Sequence, residues 1–155
     1  MIREMRETDL PFVLQIEQEA LPEHWQEKDF RYELFENPYA HLFVMEIKQK
    51  IVGFIDLWII FERAEIASIA TAPQFRRRGY AKKLLHYALF LAQQQDCEVA
   101  FLEVRQSNQV AKSLYYSFGF NDWRIKKDYY QNNHEDALEM IYVLGGLNEN
   151  ENISN

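Results

Sequence analysis

The run Ala100-Phe101-Leu102-Glu103-Val104-Arg105 places one carboxylate in the middle of an apolar strand pattern. Alternation with period 2 sends Ala100, Leu102 and Val104 to one face and Phe101, Glu103 and Arg105 to the other. A carboxylate there loses hydration, which suits a proton acceptor working near neutral pH, so Glu103 is a candidate general base. The plainer alternative is an ion pair with Arg105 two residues on. Asn108 and Tyr115 follow on a helical pattern, and their spacing leaves them about 20° apart around the axis, on one face that can border the same cleft. Alone, Asn108 reads equally as a helix N-cap and Tyr115 as a packed aromatic.

A second group is suited to binding. Pro73-Gln74-Phe75-Arg76-Arg77-Arg78-Gly79-Tyr80-Ala81 joins a β-rich run, 65–72, to a helical pattern from 78 to about 95, and Lys82 and Lys83 add to its three arginines. The first turn of a helix has unpaired N–H groups and the positive end of the macrodipole, so this junction is suited to a phosphate or pyrophosphate. It is neither a Gly-Lys-Ser/Thr phosphate loop nor a G-x-G-x-x-G dinucleotide turn. The alternative is a solvated basic helix start.

The elements that must position these groups follow from periodicity and punctuation. A strand at 2–5 precedes a helix at 11–20 capped by Thr8, and a second helix covers 26–35 before Asn37-Pro38. Strands at 41–47 and 51–61 flank Lys48-Gln49-Lys50 as a hairpin, followed by the strand at 65–72. Ala81, Leu84, Leu85, Ala88, Leu89 and Ala92 give the long helix a broad apolar stripe for packing on a sheet. A strand at 98–105, a helix at 108–118 closed by Gly119, and strands at 120–126 and 137–144 complete the order β-α-α-β-β-β-α-β-α-β-β. This implies an α/β (α+β) domain: a mixed, mostly antiparallel sheet with helices on both faces. Residues 1–145 form the expected single domain, and the polar stretch 146–155 reads as a frayed tail.

Arg76-x-x-Gly79-x-Ala81 after Ile69-Ala70-Thr71-Ala72-Pro73 resembles the acetyl-CoA pyrophosphate loop of the GNAT superfamily of N-acetyltransferases. Leu102-Glu103-Val104-Arg105, Ser107-Asn108, Ala111, Leu114-Tyr115, Gly119-Phe120, Lys126-Lys127-Asp128-Tyr129-Tyr130 and Glu135-Asp136-Ala137 resemble its ribosomal-protein-alanine N-acetyltransferase branch, as do Asp9-Leu10-Pro11, Ile16-Glu17 and Trp25. The resemblance implies a single-domain GNAT fold with acetyl-CoA as cosubstrate, Glu103 as general base and Tyr115 as general acid. It places the pantetheine along Ile69, Ala70 and Thr71, the pyrophosphate on the loop Arg76, Arg77, Arg78, Gly79, Tyr80, Ala81 and Lys82, and a further cofactor contact at Asn108. Trp25, Tyr129 and Tyr130 would wall a peptide groove, although the tyrosines can equally pack at a sheet edge. Two departures stand out. Tyr80 is bulky and should point away from the phosphate, and Gln131-Asn132-Asn133-His134 replaces a turn in which the branch often has proline and glycine.

Composition narrows the function classes. A formal charge of −7 and a pI near 5.1 argue against a general nucleic-acid binder and favour cationic substrates. Lone Cys97 precludes an internal disulfide and suits a reducing cytoplasm, and four scattered histidines lack ligand spacing, so no metal is expected. No apolar segment suggests a signal peptide or a membrane span. The expected activity is transfer of an acetyl group to the N-terminal alanine of a ribosomal protein. A small-amine acetyltransferase acting on a polyamine or amino sugar, and a non-catalytic acyl-CoA-binding regulator, are the competing readings.

Overall fold

The computed structural model describes residues 1–21 and 25–148. Seven strands, β1 (Ile2–Glu4), β2 (Ala40–Ile47), β3 (Lys50–Ile60), β4 (Arg63–Thr71), β5 (Val99–Arg105), β6 (Asn121–Lys126) and β7 (Ala137–Val143), form one sheet in the order β1-β2-β3-β4-β5-β7-β6. Helices α1 (Leu10–Ala20), α2 (Glu27–Phe35), α3 (Tyr80–Gln94) and α4 (Gln109–Phe118) complete the expected order. Every pairing is antiparallel except β4 with β5, the pair joined through α3, as a right-handed strand–helix–strand unit requires.

The sheet is buried on both faces. Leu84, Leu85, Ala88, Leu89 and Ala92 on the stripe of α3 pack over Ile55, Leu57, Ala64, Ala100, Leu102 and Val104, and Tyr115 and Phe120 close this core near α4. On the opposite face, Leu10, Val13, Ile16 and Phe30 from α1 and α2 cover Leu42, Val44, Phe54 and Ala70. Gly53 lets α3 approach: a Cβ there would lie 3.1 Å from the Ala70 carbonyl oxygen and 3.2 Å from Leu84 Cδ1.

Two features of register shape the centre. Asp56 pairs with Ser68 but Leu57 with Ile66, so Ala67 is an extra residue on β4. Strict alternation would set Ile69 on the same face as Glu65; the bulge instead puts Glu65 and Ser68 on the α1 side and Ile69 against the α3 core. The parallel pairing of β4 with β5 covers only Arg63↔Val99, Ala64↔Ala100 and Glu65↔Phe101. Beyond Glu65 the two strands diverge, and Glu103 lies past that point.

Local chemistry corrects three expectations. Thr8 caps nothing: it sits in a 3₁₀ turn at Glu7–Asp9, while buried Asp9 accepts from the Arg6 amide at 2.8 Å and pairs with Arg3 at 2.8 Å. The long helix starts at Tyr80 instead of Arg78, because Arg77 and Gly79 take positive φ, 64° and 81°. Packing also continues past residue 145. The Gln93 side-chain oxygen accepts from the Gly145 and Leu147 amides at 3.1 Å, and Leu147 is buried. Residues 149–155 of the expected tail lie outside the described residues.

Candidate active site

Glu103 projects from β5 on the α1 side of the sheet, where it is half-buried. It forms an ion pair with Lys126 of β6, with Nζ 2.9 Å from Oε1. Arg105 bonds Asn132, Asn133 and Glu135 and lies 3.9 Å from the centre of the Tyr130 ring. The Tyr129 phenol is raised well above its ordinary range by the neighbouring Glu103 carboxylate, with some burial adding.

Two further carboxylates share this face. Glu139 of β7 is directly opposite Glu103, and Glu65 comes from β4; the ligand oxygens of the three lie within 4.8 Å of one another. Like charges facing across a ladder repel, so cations must offset them. Arg124 reaches Glu139 at 2.6 Å, Arg63 reaches Glu139 at 3.4 Å and Glu65 at 3.5 Å, and Lys126 bridges Glu103 and Glu139. Sequence spacing concealed this cluster, since its members come from three strands. A charged residue alternating among apolar neighbours in Ala137-Leu138-Glu139-Met140 was the available signal.

Tyr115 lies on α4 in the opposite core, with its ring 6.0 Å from Phe120. Burial, reinforced by Tyr130, pushes its phenol up to about 12, so at neutral pH it is a protonated donor. The link between the candidate base and acid runs through the loop after β6: Tyr129 touches Glu103, its ring stands 5.2 Å from Tyr130, and Tyr130 influences Tyr115. That loop is fastened by Glu135, which accepts from the Ser107 amide at 2.7 Å and from Arg105 at 3.3 Å. Hydrogen bonds from Ser107, then Arg105 and Asn133, hold its carboxyl down at about 2.

The basic loop has the expected form. Arg76, Arg77 and Arg78 are exposed, and the first hydrogen bond of α3 is Lys83 N–H to the Gly79 carbonyl at 3.1 Å. The amides before Lys83 therefore have no acceptor within the helix. Tyr80 turns toward the core, away from the loop mouth. At the end of β4, the Thr71 hydroxyl is buried without a hydrogen-bond partner among the described residues. Asn108 does cap α4: its side-chain oxygen accepts from the Ala111 amide at 3.1 Å.

The α1–α2 side was not fully legible. Trp25 packs edge-on against Phe30 at 5.1 Å, and its amide donates to buried Glu17 at 3.0 Å. Glu17 also accepts from Ser68 at 3.5 Å, which ties the turn before α2 to the bulged strand. Nearby, buried Glu33 accepts from the Trp58 indole at 2.5 Å and from Asn37 at 2.9 Å. Fully buried Asp56 faces Glu33, with no donor in hydrogen-bonding geometry on either carboxyl oxygen. Burial, then the neighbouring Glu33 carboxylate, push Asp56 up to about 10, with the nearby Trp58 indole opposing.

Comparison with known proteins points the same way. The sequence pattern of the acetyltransferase (GNAT) family matches residues 10–120. A putative [ribosomal protein bS18]-alanine N-acetyltransferase of Bacillus subtilis is 38% identical over 143 residues, covering 92% of this chain and 95% of that one. The [ribosomal protein bS18]-alanine N-acetyltransferase of Salmonella typhimurium is 36% identical over 141 residues, covering 88% and 93%. The crystal structure of the ribosomal-protein-S18-alanine N-acetyltransferase from Escherichia coli superposes with a TM-score of 0.85 at 30% identity over 99% of both chains. No helix among the described residues is long and apolar enough to cross a membrane.

Proposed function

The chain belongs to the acetyltransferase (GNAT) family and is an acyltransferase, and from that premise we propose that it moves an acetyl group from acetyl-CoA to the N-terminal α-amine of an alanine-first ribosomal protein. The observation that carries this reading is Glu103, held past the point where β4 and β5 part and beside a loop bearing Tyr129 and Tyr130. An α-amino group has a pKa of about 7.7–8.0, so it needs only a modest base to become a nucleophile. Glu103 takes that proton, and the free amine attacks the thioester carbonyl. Backbone N–H groups at the end of β4 stabilise the developing oxyanion. Tyr115, protonated at neutral pH, donates to the departing thiolate.

The residues fit acetyl-CoA. The unpaired first-turn amides of α3, with Arg76 to Arg78 around them, suit the pyrophosphate, and the unpartnered Thr71 hydroxyl on β4 offers the pantetheine arm a polar contact. Transfer is direct in this reading. Cys97 precedes β5 at the end far from Glu103, and burial, with Asp96 and Glu62 adding, raises its thiol away from the reactive thiolate. Trp25, Tyr129 and Tyr130 border the path of the peptide.

The test is thiol release from acetyl-CoA with short peptides differing only in residue one, alongside spermidine and an amino sugar, with mass spectrometry locating the acetyl group. Acetylation of the alanine peptide at its α-amine is expected. Turnover confined to the small amines would overturn the substrate, and cofactor binding without any turnover would overturn catalysis.

A further inference from the structure

We propose that Lys126 is a built-in stand-in for the substrate amine: its ammonium holds the position on Glu103 that the substrate's α-ammonium takes, and it leaves when the substrate arrives. The inference rests on the reading of Glu103 as the base.

The contact occupies the atom that chemistry needs. Lys126 Nζ lies 2.9 Å from Glu103 Oε1, and a carboxylate oxygen accepting a hydrogen bond from one ammonium must release it to accept a proton from another. An exchange of ammonium for ammonium also keeps the charge constant where Glu103 stands opposite Glu139. The counter-ions are distributed so that this exchange is tolerated. Glu139 is almost wholly buried, yet Lys126 is its most distant cation at 3.8 Å, while Arg124 at 2.6 Å and Arg63 at 3.4 Å stay in place. Departure of Lys126 therefore strands no buried charge, which would otherwise be costly.

Lys126 also has somewhere to go. It is the last residue of β6, an edge strand, with its side chain 26% exposed. Its Nζ lies 5.4 Å from the centre of the Tyr129 ring, whose face can hold a displaced ammonium. Lys126 thus sets the affinity of the site for its amine without touching the reacting atoms in the complex. It is a positioning residue.

The experiment compares the parent with Lys126→Gln and Lys126→Arg. Calorimetry measures binding of the alanine peptide in the presence of CoA, which carries no acetyl group, and steady-state kinetics and melting accompany it. Lys126→Gln should bind the peptide about fivefold more tightly, equivalent to opening an ion pair worth about 1 kcal/mol. KM for peptide should fall by the same factor with kcat within about twofold, and Lys126→Arg should match the parent. Unchanged or weaker binding by a folded Lys126→Gln, or equal tightening by Lys126→Arg, would overturn the exchange. A gain that disappears in about 0.5 M salt would mark long-range repulsion and also overturn it. If no form released thiol with any amine, the acetyltransferase reading would fall, and the calorimetric arm would still decide whether Lys126 competes with the peptide.

Discussion

Replacing Glu103 by Gln keeps the shape of the side chain on β5 and removes one charge from a balanced set. Glu65, Glu103 and Glu139 face Arg63, Arg124 and Lys126, so the set goes from neutral to one positive charge. The structural cost is small. Glu103 loses its ion pair with Lys126, in which the lysine and glutamate side chains are 26% and 19% exposed, and such a pair is worth about 0.5–1 kcal/mol. Melting should therefore fall by no more than about 2–4 °C. The chemical cost is large, because a positioned base contributes about 10²–10⁴ in rate, or roughly 3–5.5 kcal/mol. Arg76 to Arg78 precede α3 and do not join this cluster, so if they hold the cofactor as proposed, the Kd for acetyl-CoA should stay within about twofold. Thiol release, calorimetry with acetyl-CoA and thermal melting on the same preparation separate the three quantities. A kcat within about threefold of the parent would remove Glu103 as base, and a loss of cofactor affinity matching the loss of rate would assign it to binding.

Gly79→Ala puts a Cβ on a residue at φ 81°, which should cost about 1 kcal/mol and weaken acetyl-CoA binding severalfold by calorimetry. If neither melting nor affinity changes, the loop assignment is wrong. Asp56→Asn should stabilise the fold at pH 8 and much less at pH 4 in urea denaturation. With the folded carboxyl pushed up to about 10, the native state holds an extra proton, and stability declines as pH rises from the usual carboxyl range. An equal gain at both pH values would contradict this. Glu135, held down to about 2, contributes stability above the ordinary carboxyl range that is lost as pH falls toward 2. Glu135→Gln should flatten that acid limb and hasten proteolysis at 127–136, and an unchanged limb would count against the fastening role.

The order of elements, the stripe of α3 and the basic turn were readable because each is local: periodicity, a glycine and a run of like charges sit within about one helix length. Asp9 and Arg3 show where local reading stopped. Thr8 was the capping residue read from the sequence, yet it lies inside a 3₁₀ turn, where Asp9 serves the Arg6 amide and the Arg3 guanidinium at once. Glu103 was singled out from its apolar surroundings, and the one ion pair weighed for it was with neighbouring Arg105; only the placement of β6 beside β7 brings Lys126 across. The face of Ile69 depended on the bulge at Ala67, which strict alternation does not encode. Asp56 gave no sign of sharing a dry pocket with Glu33, since the two lie on different elements.

The short β4–β5 pairing makes the sheet behave mechanically as two panels joined near one end. One panel, β1 to β4, leads into the arginine loop; the other, β5 to β7, carries Glu103, Lys126 and, through its connecting helix, Tyr115. The two share a core, from Ile55 and Ala64 to Ala100 and Leu102, while ladder pairing between them is confined to Arg63–Glu65 and Val99–Phe101. In the proposed reading, a ligand reaching from the loop to the gap would brace both panels and join the edge that carries Glu103 and Tyr115 to the arginine loop.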